Sequence, residues 1–496
     1  MNFILSIDQG TTSSRAIIFD EDFSEVASHQ QEFQQYFPKN GWVEHDALEI
    51  WESVLVAVRK ALSSAQLSAK EIKAIGITNQ RETVVAWQKS TGKPIAPAIV
   101  WQDRRTEDFC RQLRQRELGE MINSKTGLVL DPYFSASKIQ WLLENTSGAR
   151  QLIAEEDLLV GTIDTWLIWK LTGGAKHTTD ATNASRTQLF NIRQQCWDDE
   201  LLALFNIPKR ILPAVHDCAA DFGETVATLF GDRIAIRGVA GDQQAALIGQ
   251  RCWQPGDIKS TYGTGCFVMA NTGSDIIVSE HKLLSTVAYR LDGRTHYAIE
   301  GSIFMAGAII QWLRDSLGII SSASETERLA ADVEVDHGVI MVPAFTGLGA
   351  PHWAADARAS ISGMTRGTDK RHIASASLQS VAFQSADLFA AMESDGVELT
   401  QLKVDGGMVK NSLFCQWLAD FSKLRIVRND FSEATALGAA YLAALGSGLA
   451  QDLNSLPNPA PHSESFSPRI NPSLRDQLMK RWHAAVSIEL SRNDRM

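Results

Sequence analysis

The chain has 496 residues, more than one hydrophobic core normally organises, and this length predicts two large domains with a cleft between them. Hydrophobic residues make up 44% and charged residues 21% of the chain, which is the balance of a folded protein and excludes a disordered one. The formal net charge of −11 argues against a nucleic-acid-binding surface and suits an enzyme that acts on small metabolites.

The cysteines and the apolar segments indicate in which cellular compartment the protein is expected. The six cysteines are scattered and form no C-x-x-C pair, so the sequence indicates neither a zinc site nor a disulfide framework. A reducing cytoplasm is therefore the expected location. The first apolar stretch stops at Asp8 and is too short for a signal peptide. The apolar segment 436–450 contains glycines and is shorter than a membrane span, so we expect a packed helix there and no membrane insertion.

The first predicted elements are three strands, at 2–7, 15–20 and about 25–33. Between the first two strands, Asp8 is followed by a Gly-Thr-Thr-Ser-Ser turn that begins at Gly10. Such a turn can direct several backbone N–H groups and hydroxyls into one concavity and hold a phosphate with little basic charge. An ordinary hairpin turn has the same composition, so the stretch alone leaves both interpretations open.

A helix and three further strands follow in chain order. Asp46 is predicted to cap the helix, with Glu49 in the reciprocal position of a capping box. The apolar runs at 72–78, 83–87 and 97–101 are predicted strands, and we expect them in the same sheet as the first three. The first part of the chain is therefore mixed α/β.

The second half of the chain repeats the opening pattern. Residues 257–273 again place a Gly-Thr turn, which begins at Gly263, between two apolar runs. A repeat at half the chain length suggests a duplicated domain, and we expect the division at 1–250 and 251–496. Two short matches can also arise by chance, so this alternative stays open at this point.

Two glycine-rich turns and a polar segment complete the predicted organisation. Residues 233–250 and 402–421 each have a strand, a glycine turn and a helix in that order. The proline-rich segment 451–471 is polar and is expected to wrap the surface before a last helix near 473–492.

These motifs together closely resemble one family, the FGGY sugar kinases. The matching stretches, in chain order, are DQGTTSSRA, GITNQRET, WQDRR, DPYFSASK, AGDQQAAL, YGTGCF, FMAGAIIQWLRD, FTGLGAP and VDGGMVKN. So many ordered motifs are far more specific than a single glycine pattern. The resemblance implies an α/β, actin-like (ribonuclease H-like) fold of two duplicated domains, which closes over ATP and a polyol.

The resemblance also implies a role for the turn after Asp8, which would hold nucleotide phosphates, while Asp8 helps to hold Mg²⁺. A carboxylate beside a phosphate turn repels its ligand unless a cation lies between them, although an Asp that bonds its own turn is the alternative. By matching positions, the implied nucleotide ligands are Thr11, Thr12, Ser13, Arg15, Thr264, Gly307, Gln311, Gly407 and Asn411.

A polyol site is implied in the same way. The matching positions are Arg81, Glu82, Trp101, Tyr133, Asp242, Gln243 and Phe267. Without the resemblance, an adjacent Arg81 and Glu82 would be interpreted as a solvated surface pair. Trp101 and Phe267 would likewise be interpreted as core aromatics.

The activity implied is ATP-dependent phosphorylation of glycerol to sn-glycerol 3-phosphate, the first step of glycerol catabolism. Bulky Trp101 and Phe267 would fill the space that a pentulose or hexulose needs, which favours glycerol over larger sugars. Asp242 is the candidate general base, although its position after a strand and a glycine also suits a helix N-cap.

Two alternatives to this activity remain at this point. One is a related kinase for xylulose or ribulose, and the other is an actin-like nucleotide-binding protein without phosphoryl transfer. The polyol cluster speaks against the second alternative, which has no need of it. The resemblance further implies a homodimer or homotetramer.

Overall fold

The computed structural model describes residues 2–354, 356–429, 433–459 and 462–492. The strands of the first half are β1 Phe3–Gln9, β2 Ser13–Phe19, β3 Glu25–Glu32, β4 Gln35–Tyr36, β5 Glu44–His45, β6 Ile72–Asn79, β7 Val84–Gln88, β8 Ala98–Ile99, β9 Leu158–Thr162, β10 Thr178–Asp180, β11 Phe190–Asn191, β12 Cys196–Trp197, β13 Ala214–His216 and β14 Ile236–Gly241. Its helices are α1 Ala47–Ala65, α2 Glu107–Gln115, α3 Gly119–Thr126, α4 Ser135–Asn145, α5 Ala149–Ala154, α6 Ile163–Leu171, α7 Ala181–Ser185, α8 Asp199–Leu204, α9 Ala227–Phe230 and α10 Asp242–Gly249.

The second half continues the mixed α/β pattern. Its strands are β15 Asp257–Tyr262, β16 Cys266–Gly273, β17 Leu284–Leu291, β18 Arg294–Ile303, β19 Ile340–Val342, β20 Ser360–Ser362, β21 Gln401–Asp405, β22 Arg425–Asn429 and β23 Ser463–Phe466. Its helices are α11 Gly307–Asp315, α12 Glu325–Ala331, α13 Lys370–Ser394, α14 Ser412–Ser422, α15 Ala434–Gly446 and α16 Pro472–Arg492.

The two main sheets share one strand arrangement. The first has the order β14-β6-β1-β2-β3, and the second has the order β17-β18-β16-β15-β21-β22-β23. In each sheet an antiparallel hairpin, β1–β2 or β15–β16, is extended on one side by an antiparallel strand and on the other by two parallel strands. The turns that begin at Gly10 and Gly263 each join the two strands of one of these equivalent hairpins, as a duplicated domain requires.

Two of the predicted strands lie in another sheet. The runs at 83–87 and 97–101 form β7 and the short β8, and these belong to the sheet β4-β5-β8-β7-β9. The expectation of one common sheet is therefore wrong. Apolar strands buried on both faces do not differ in pattern between two adjacent sheets, so only the tertiary pairing separates them.

The cap of α1 differs in part from the predicted capping box. The Asp46 carboxylate accepts a hydrogen bond from the Leu48 N–H at 2.7 Å, as predicted for an N-cap. The Glu49 side chain does not return to the cap. It accepts hydrogen bonds from the Tyr36 hydroxyl at 2.7 Å and the Gln34 N–H at 3.3 Å, so it joins the helix to the preceding segment.

The two halves meet through a pair of helices. Helix α10 packs against α15 and reaches β15, β16 and β17 of the second half, while α15 packs on β14, β6 and β1 of the first half. A Cβ on Gly438 would lie 1.8 Å from the Ala245 carbonyl oxygen, and one on Gly249 would lie 1.9 Å from that of Ala434. Glycine is therefore required where the two helices cross.

We expect Gly438→Ala to lower the free energy of unfolding by about 2 kcal/mol, because its methyl group would push α15 away from the backbone of α10. Thermal denaturation would measure the loss. Gly119→Ala is the matched control, since an added Cβ there would meet no atom within 4 Å in the described residues beyond its own helix and chain neighbours. Equal melting temperatures for the two variants would contradict the close crossing.

Two expectations about the C-terminal part have mixed outcomes. The apolar segment 436–450 lies largely in buried α15, as expected for a packed helix, and none of the helices that the structure describes is long and apolar enough to span a bilayer. The segment 451–471 is more than surface wrapping, because it contributes β23, which pairs with β22 at the edge of the second sheet. Residues 460–461 of that segment lie outside the described residues.

Candidate active site

Backbone and side-chain hydrogen bonds hold the first glycine turn in place. The Gly10 N–H donates to the Ser13 carbonyl at 2.9 Å and closes the turn. The Gly10 carbonyl accepts hydrogen bonds from the side-chain amides of Gln9 at 2.7 Å and Gln80 at 3.2 Å. Thr12 lies exposed at the tip. These bonds therefore fix the position of the hydroxyl-bearing residues of this turn at the end of β1.

Arg15 joins this turn to the second half. Its guanidinium donates to the Gln30 side chain at 2.5 Å and forms an ion pair with Glu433, just before α15. The Gln30 amide in turn donates to the Ser13 hydroxyl at 2.8 Å. Arg15 is thus held at the cleft by contacts to both halves.

Asp8 lies in a negatively charged part of the cleft. Burial, together with the nearby carboxylates of Asp242 and Glu433, raises the pKa of Asp8 to about 7, although Arg15 opposes the shift. Within the described parts of the chain, no cluster of three or more His, Cys, Asp or Glu side chains could hold a metal ion. Asp8 is therefore a buried carboxylate whose charge is disfavoured by burial and by neighbouring carboxylates and is only partly offset by Arg15.

The second glycine turn is fastened to the start of α11. The Gly263 carbonyl accepts a hydrogen bond from the Gly307 N–H at 2.8 Å, and the Thr264 carbonyl accepts from the N–H groups of Ala306 and Ala308, each at 3.0 Å. A Cβ on Gly307 would lie 2.6 Å from the Gly263 oxygen, so this approach requires glycine. Thr264 and Gly307, both predicted nucleotide ligands, are thereby adjacent. Gln311 lies one helical turn further along α11 and is exposed.

The glycine pair Gly406–Gly407, which follows β21, lies close to the second glycine turn. Gly406 has a φ of +95°, and a Cβ there would lie 2.4 Å from the Tyr262 carbonyl, immediately before the second turn. Gly407 follows it. Asn411 caps α14, because its side-chain oxygen accepts from the Phe414 N–H at 2.9 Å. Asn411 thus has a structural role alongside the predicted one.

Four of the predicted polyol ligands form a charged group at the first half's edge of the cleft. The Arg81 Nε lies 3.1 Å from Asp242 Oδ1 and 3.9 Å from Glu82 Oε1. Gln243 follows Asp242 in the first turn of α10, and its Oε1 accepts a hydrogen bond from the amine of Lys259. Arg81 and Glu82 are both buried, which rules out the surface-pair interpretation.

The three aromatic residues form a wall beside this group. The Trp101 ring lies edge-on to Tyr133, at 5.6 Å between centroids, and to Phe267, at 6.4 Å. The Trp101 indole N–H donates to the Thr11 hydroxyl at 3.0 Å, which connects the wall to the first turn. The Lys259 amine reaches the Phe267 carbonyl at 3.5 Å. Because Lys259 also bonds Gln243, the aromatic wall adjoins the polar group, and the predicted residues lie together where the two halves meet.

Asp242, Glu82 and Gln243 each have one polar side-chain atom bonded within the protein and a second that is not bonded in the described part of the chain. Asp242 Oδ1 accepts the Gln243 N–H at 2.7 Å in addition to its contact with Arg81. Among the described residues, no hydrogen bond reaches Asp242 Oδ2, Glu82 Oε2, the Gln243 side-chain N–H₂ or the Tyr133 hydroxyl. Burial raises the pKa of Tyr133, so its hydroxyl stays protonated. The site thus offers acceptors and donors suited to an uncharged polyol.

The N-cap interpretation of Asp242 is wrong. The cap of α10 is Gly241, and Asp242 is the first helical residue, with its carboxylate directed to Arg81 and the adjacent N–H. The carboxylate is 32% exposed, so it remains accessible from the cleft. A glycine cap leaves the side chain of the next residue available for another role.

Three buried charged residues at this site were missed from the sequence. Arg186 and Glu300 bind Arg81 and Glu82 in one network, and Lys259 holds Gln243. The sequence held no distinctive signal for Lys259 and Glu300, because their strands, β15 and β18, also contain other charged and polar residues.

Comparisons with known proteins agree with this geometry. The N-terminal domain of the FGGY family of carbohydrate kinases matches residues 3–249, and the C-terminal domain of the same family matches residues 258–447. The glycerol kinase of Alteromonas mediterranea is 53% identical over 98% of both chains. The glycerol kinase of Alcanivorax borkumensis is 54% identical, also over 98% of both chains.

Solved structures have the same fold. A crystal structure of Plasmodium falciparum glycerol kinase with ADP has a TM-score of 0.93 and 38% identity, and the match covers 99% of this chain and 98% of that one. A xylulose kinase of Lactobacillus acidophilus has a TM-score of 0.88 at 22% identity and covers 98% of both chains, which shows the fold alone. The expected α/β, actin-like two-domain fold is therefore confirmed.

Proposed function

The chain belongs to the FGGY family of carbohydrate kinases, and on that premise we propose that it transfers the γ-phosphoryl group of ATP to glycerol, giving sn-glycerol 3-phosphate. The observation that carries the choice of glycerol is the aromatic wall of Trp101, Tyr133 and Phe267, which Lys259 and Arg186 connect to the polar group that contains Glu82 and Gln243. An aromatic wall suits the C–H edge of a three-carbon polyol, and the polar atoms suit its hydroxyls. The two bacterial relatives named glycerol kinase support the same choice.

Asp242 is the proposed general base. Arg81 and the Gln243 N–H hold Oδ1, which leaves Oδ2 to accept the proton of the attacking terminal hydroxyl as the phosphoryl group arrives. Glu82 and Tyr133 would bond the other hydroxyls and fix the orientation of the polyol. Phosphoryl transfer needs mainly such positioning and charge stabilisation, because the protein has little covalent chemistry to perform.

The two glycine turns are the proposed phosphate site. Thr11, Thr12, Ser13 and Arg15 would contact phosphates from the first half, and Thr264 from the second. Gly307, Gln311, Gly407 and Asn411 would surround the nucleoside.

The surroundings of Asp8 fit Mg²⁺. Its carboxylate lies near Asp242 and Glu433 with too little positive charge, and Mg²⁺ in kinases takes one or two carboxylates together with substrate phosphates. The ion would neutralise charge on the transferring phosphoryl group. Asp8 would hold it, and Arg15 would contact the phosphates beside it.

Turnover with different substrates tests the proposal. We expect glycerol-dependent ATP consumption in the presence of Mg²⁺. The kcat/KM for xylulose or ribulose should be at least tenfold lower than that for glycerol, because the aromatic wall leaves less room for a longer chain. Preference for a pentulose would favour the related kinases. Nucleotide binding without any substrate-dependent ATP consumption would favour the non-catalytic alternative.

We propose four further properties. The chain divides into two domains, 1–250 and 251–496. This boundary falls between the two family matches, which end at residue 249 and begin at residue 258. It functions in the cytoplasm, where its six cysteines, all free, would stay reduced. It forms a homodimer or homotetramer, which light scattering of the purified protein would measure. We expect no nucleic-acid partner, given the net charge of −11.

A further inference from the structure

Two side chains that do not belong to the proposed set of ligands hold that set in place. Glu300, on β18 of the second half, accepts hydrogen bonds from Arg81 Nη1 at 2.6 Å and Nη2 at 3.1 Å. The same carboxylate accepts from Arg186 Nη2 at 3.0 Å, and Arg186 Nε donates to Glu82 Oε1 at 2.6 Å. Arg81 and Glu82 are thus each fixed by a partner that is distant in sequence.

Arg186 also contacts the aromatic wall. Its guanidinium carbon lies 5.9 Å from the centre of the Tyr133 ring and 5.3 Å from that of Phe134. One pair of residues, Arg186 and Glu300, therefore touches three of the proposed polyol ligands: Arg81, Glu82 and Tyr133. A bidentate guanidinium fixes direction as well as distance, which an isolated charge does not.

Burying this network of charges is an energetically unfavourable way to stabilise a fold. The side chains of Arg81, Glu82, Arg186 and Glu300 are at most 2% exposed, and buried ion pairs often contribute no more stability than apolar residues of the same size. Glu82 also has a φ of +61°, an unfavourable region for a residue with a side chain, and Arg186 Nη1 is buried without a hydrogen-bond partner among the described residues. Unfavourable features of this kind cluster at functional sites.

The charges of the network balance only when both halves take part. The first half supplies Arg81, Arg186 and Glu82 to the network, and Glu300 reaches it from the second half. Although burial opposes the shift, Arg186 and Arg81 lower the pKa of Glu300 to about 2, so it is fully ionised. The arrangement of the polyol ligands therefore depends on the position of the second half.

We propose that Glu300 and Arg186 are positioning residues for the polyol site, which hold Arg81, Glu82 and Tyr133 in the orientation that binds substrate only while the two halves are correctly apposed. The inference rests on the proposed function. Neither residue needs to touch the polyol, because their bonds end on the side chains that do.

Glu300→Gln and Arg186→Lys test this inference from opposite sides of the cleft. Glu300→Gln keeps the shape but removes the charge, and Arg186→Lys keeps the charge but cannot bond Glu82 and Glu300 with one planar fork. Both are expected to raise the KM for glycerol at least tenfold while the KM for ATP changes less than twofold. If one variant fails to fold, the other still gives the result, because each removes different chemistry.

Asp198→Asn is the matched control. Asp198 is a nearly buried carboxylate that pairs with Lys125 at 2.8 Å, outside the cleft, so this variant should lose stability without any change in the KM for glycerol. Lower melting temperatures with an unchanged KM for glycerol in both network variants would overturn the inference and leave a structural role. Absence of glycerol turnover in the wild-type protein would instead overturn the proposed function, and this inference with it.

Discussion

Asp242→Asn is expected to reduce kcat by about two to four orders of magnitude, the usual contribution of a positioned acid or base. Asn has nearly the same shape and can still accept the Gln243 N–H through its side-chain oxygen, but it cannot take a proton from the attacking hydroxyl. Binding of glycerol and ATP should persist, which calorimetry would show. Single-turnover kinetics would place the loss in the chemical step.

The structure removes the main competing explanation for such a loss. Because Gly241 caps α10, the Asp242 side chain is not needed to start the helix, and the variant should melt within a few degrees of the wild type. Asp46→Asn, the same change at the true N-cap of α1, is the control and should keep full activity, since Asn and Asp cap equally well. A folded Asp242→Asn enzyme with more than about a tenth of the wild-type kcat would contradict the general-base role.

Local patterns predicted the hairpins and the glycine turns but not how the strands divide between sheets. Alternation, apolar runs and glycine positions are properties of neighbouring residues, so β1, β2 and the turn at Gly10 could be placed from the sequence. One neighbour of β7 in its sheet is β9, whose residues are about 75 positions later in the chain. Its pattern contains no information on which of two buried sheets it joins, so that prediction failed.

The same limit explains which site residues were missed. The family motifs contain the residues that we propose to contact the ligands, and the resemblance pointed to these. Glu300 meets Arg81 across 219 positions of sequence, and Arg186 meets Glu82 across 104. Only the folding of both halves brings these charges together, and no local spacing indicates that they pair.

Arg81→Ala is expected to raise the KM for glycerol by about thirtyfold or more, which corresponds to about 2 kcal/mol for a lost charge-assisted hydrogen bond. The structure adds a second consequence. Removing the guanidinium takes away the bidentate partner of Glu300 and the contact that fixes Asp242 Oδ1, so kcat should also fall. Nucleotide affinity should stay nearly unchanged, because the glycine turns do not contain Arg81.

Arg81→Lys separates the charge from the geometry of the guanidinium. An ammonium group returns the positive charge that Glu300 needs in the buried network, so this variant should recover most of the stability lost in Arg81→Ala. It cannot reproduce the planar fork that reaches Glu300 and Asp242 together, so the KM for glycerol should remain raised. A lysine variant with wild-type steady-state kinetics would show that Arg81 supplies charge alone. The orientation of the fork would then have no part in binding the polyol.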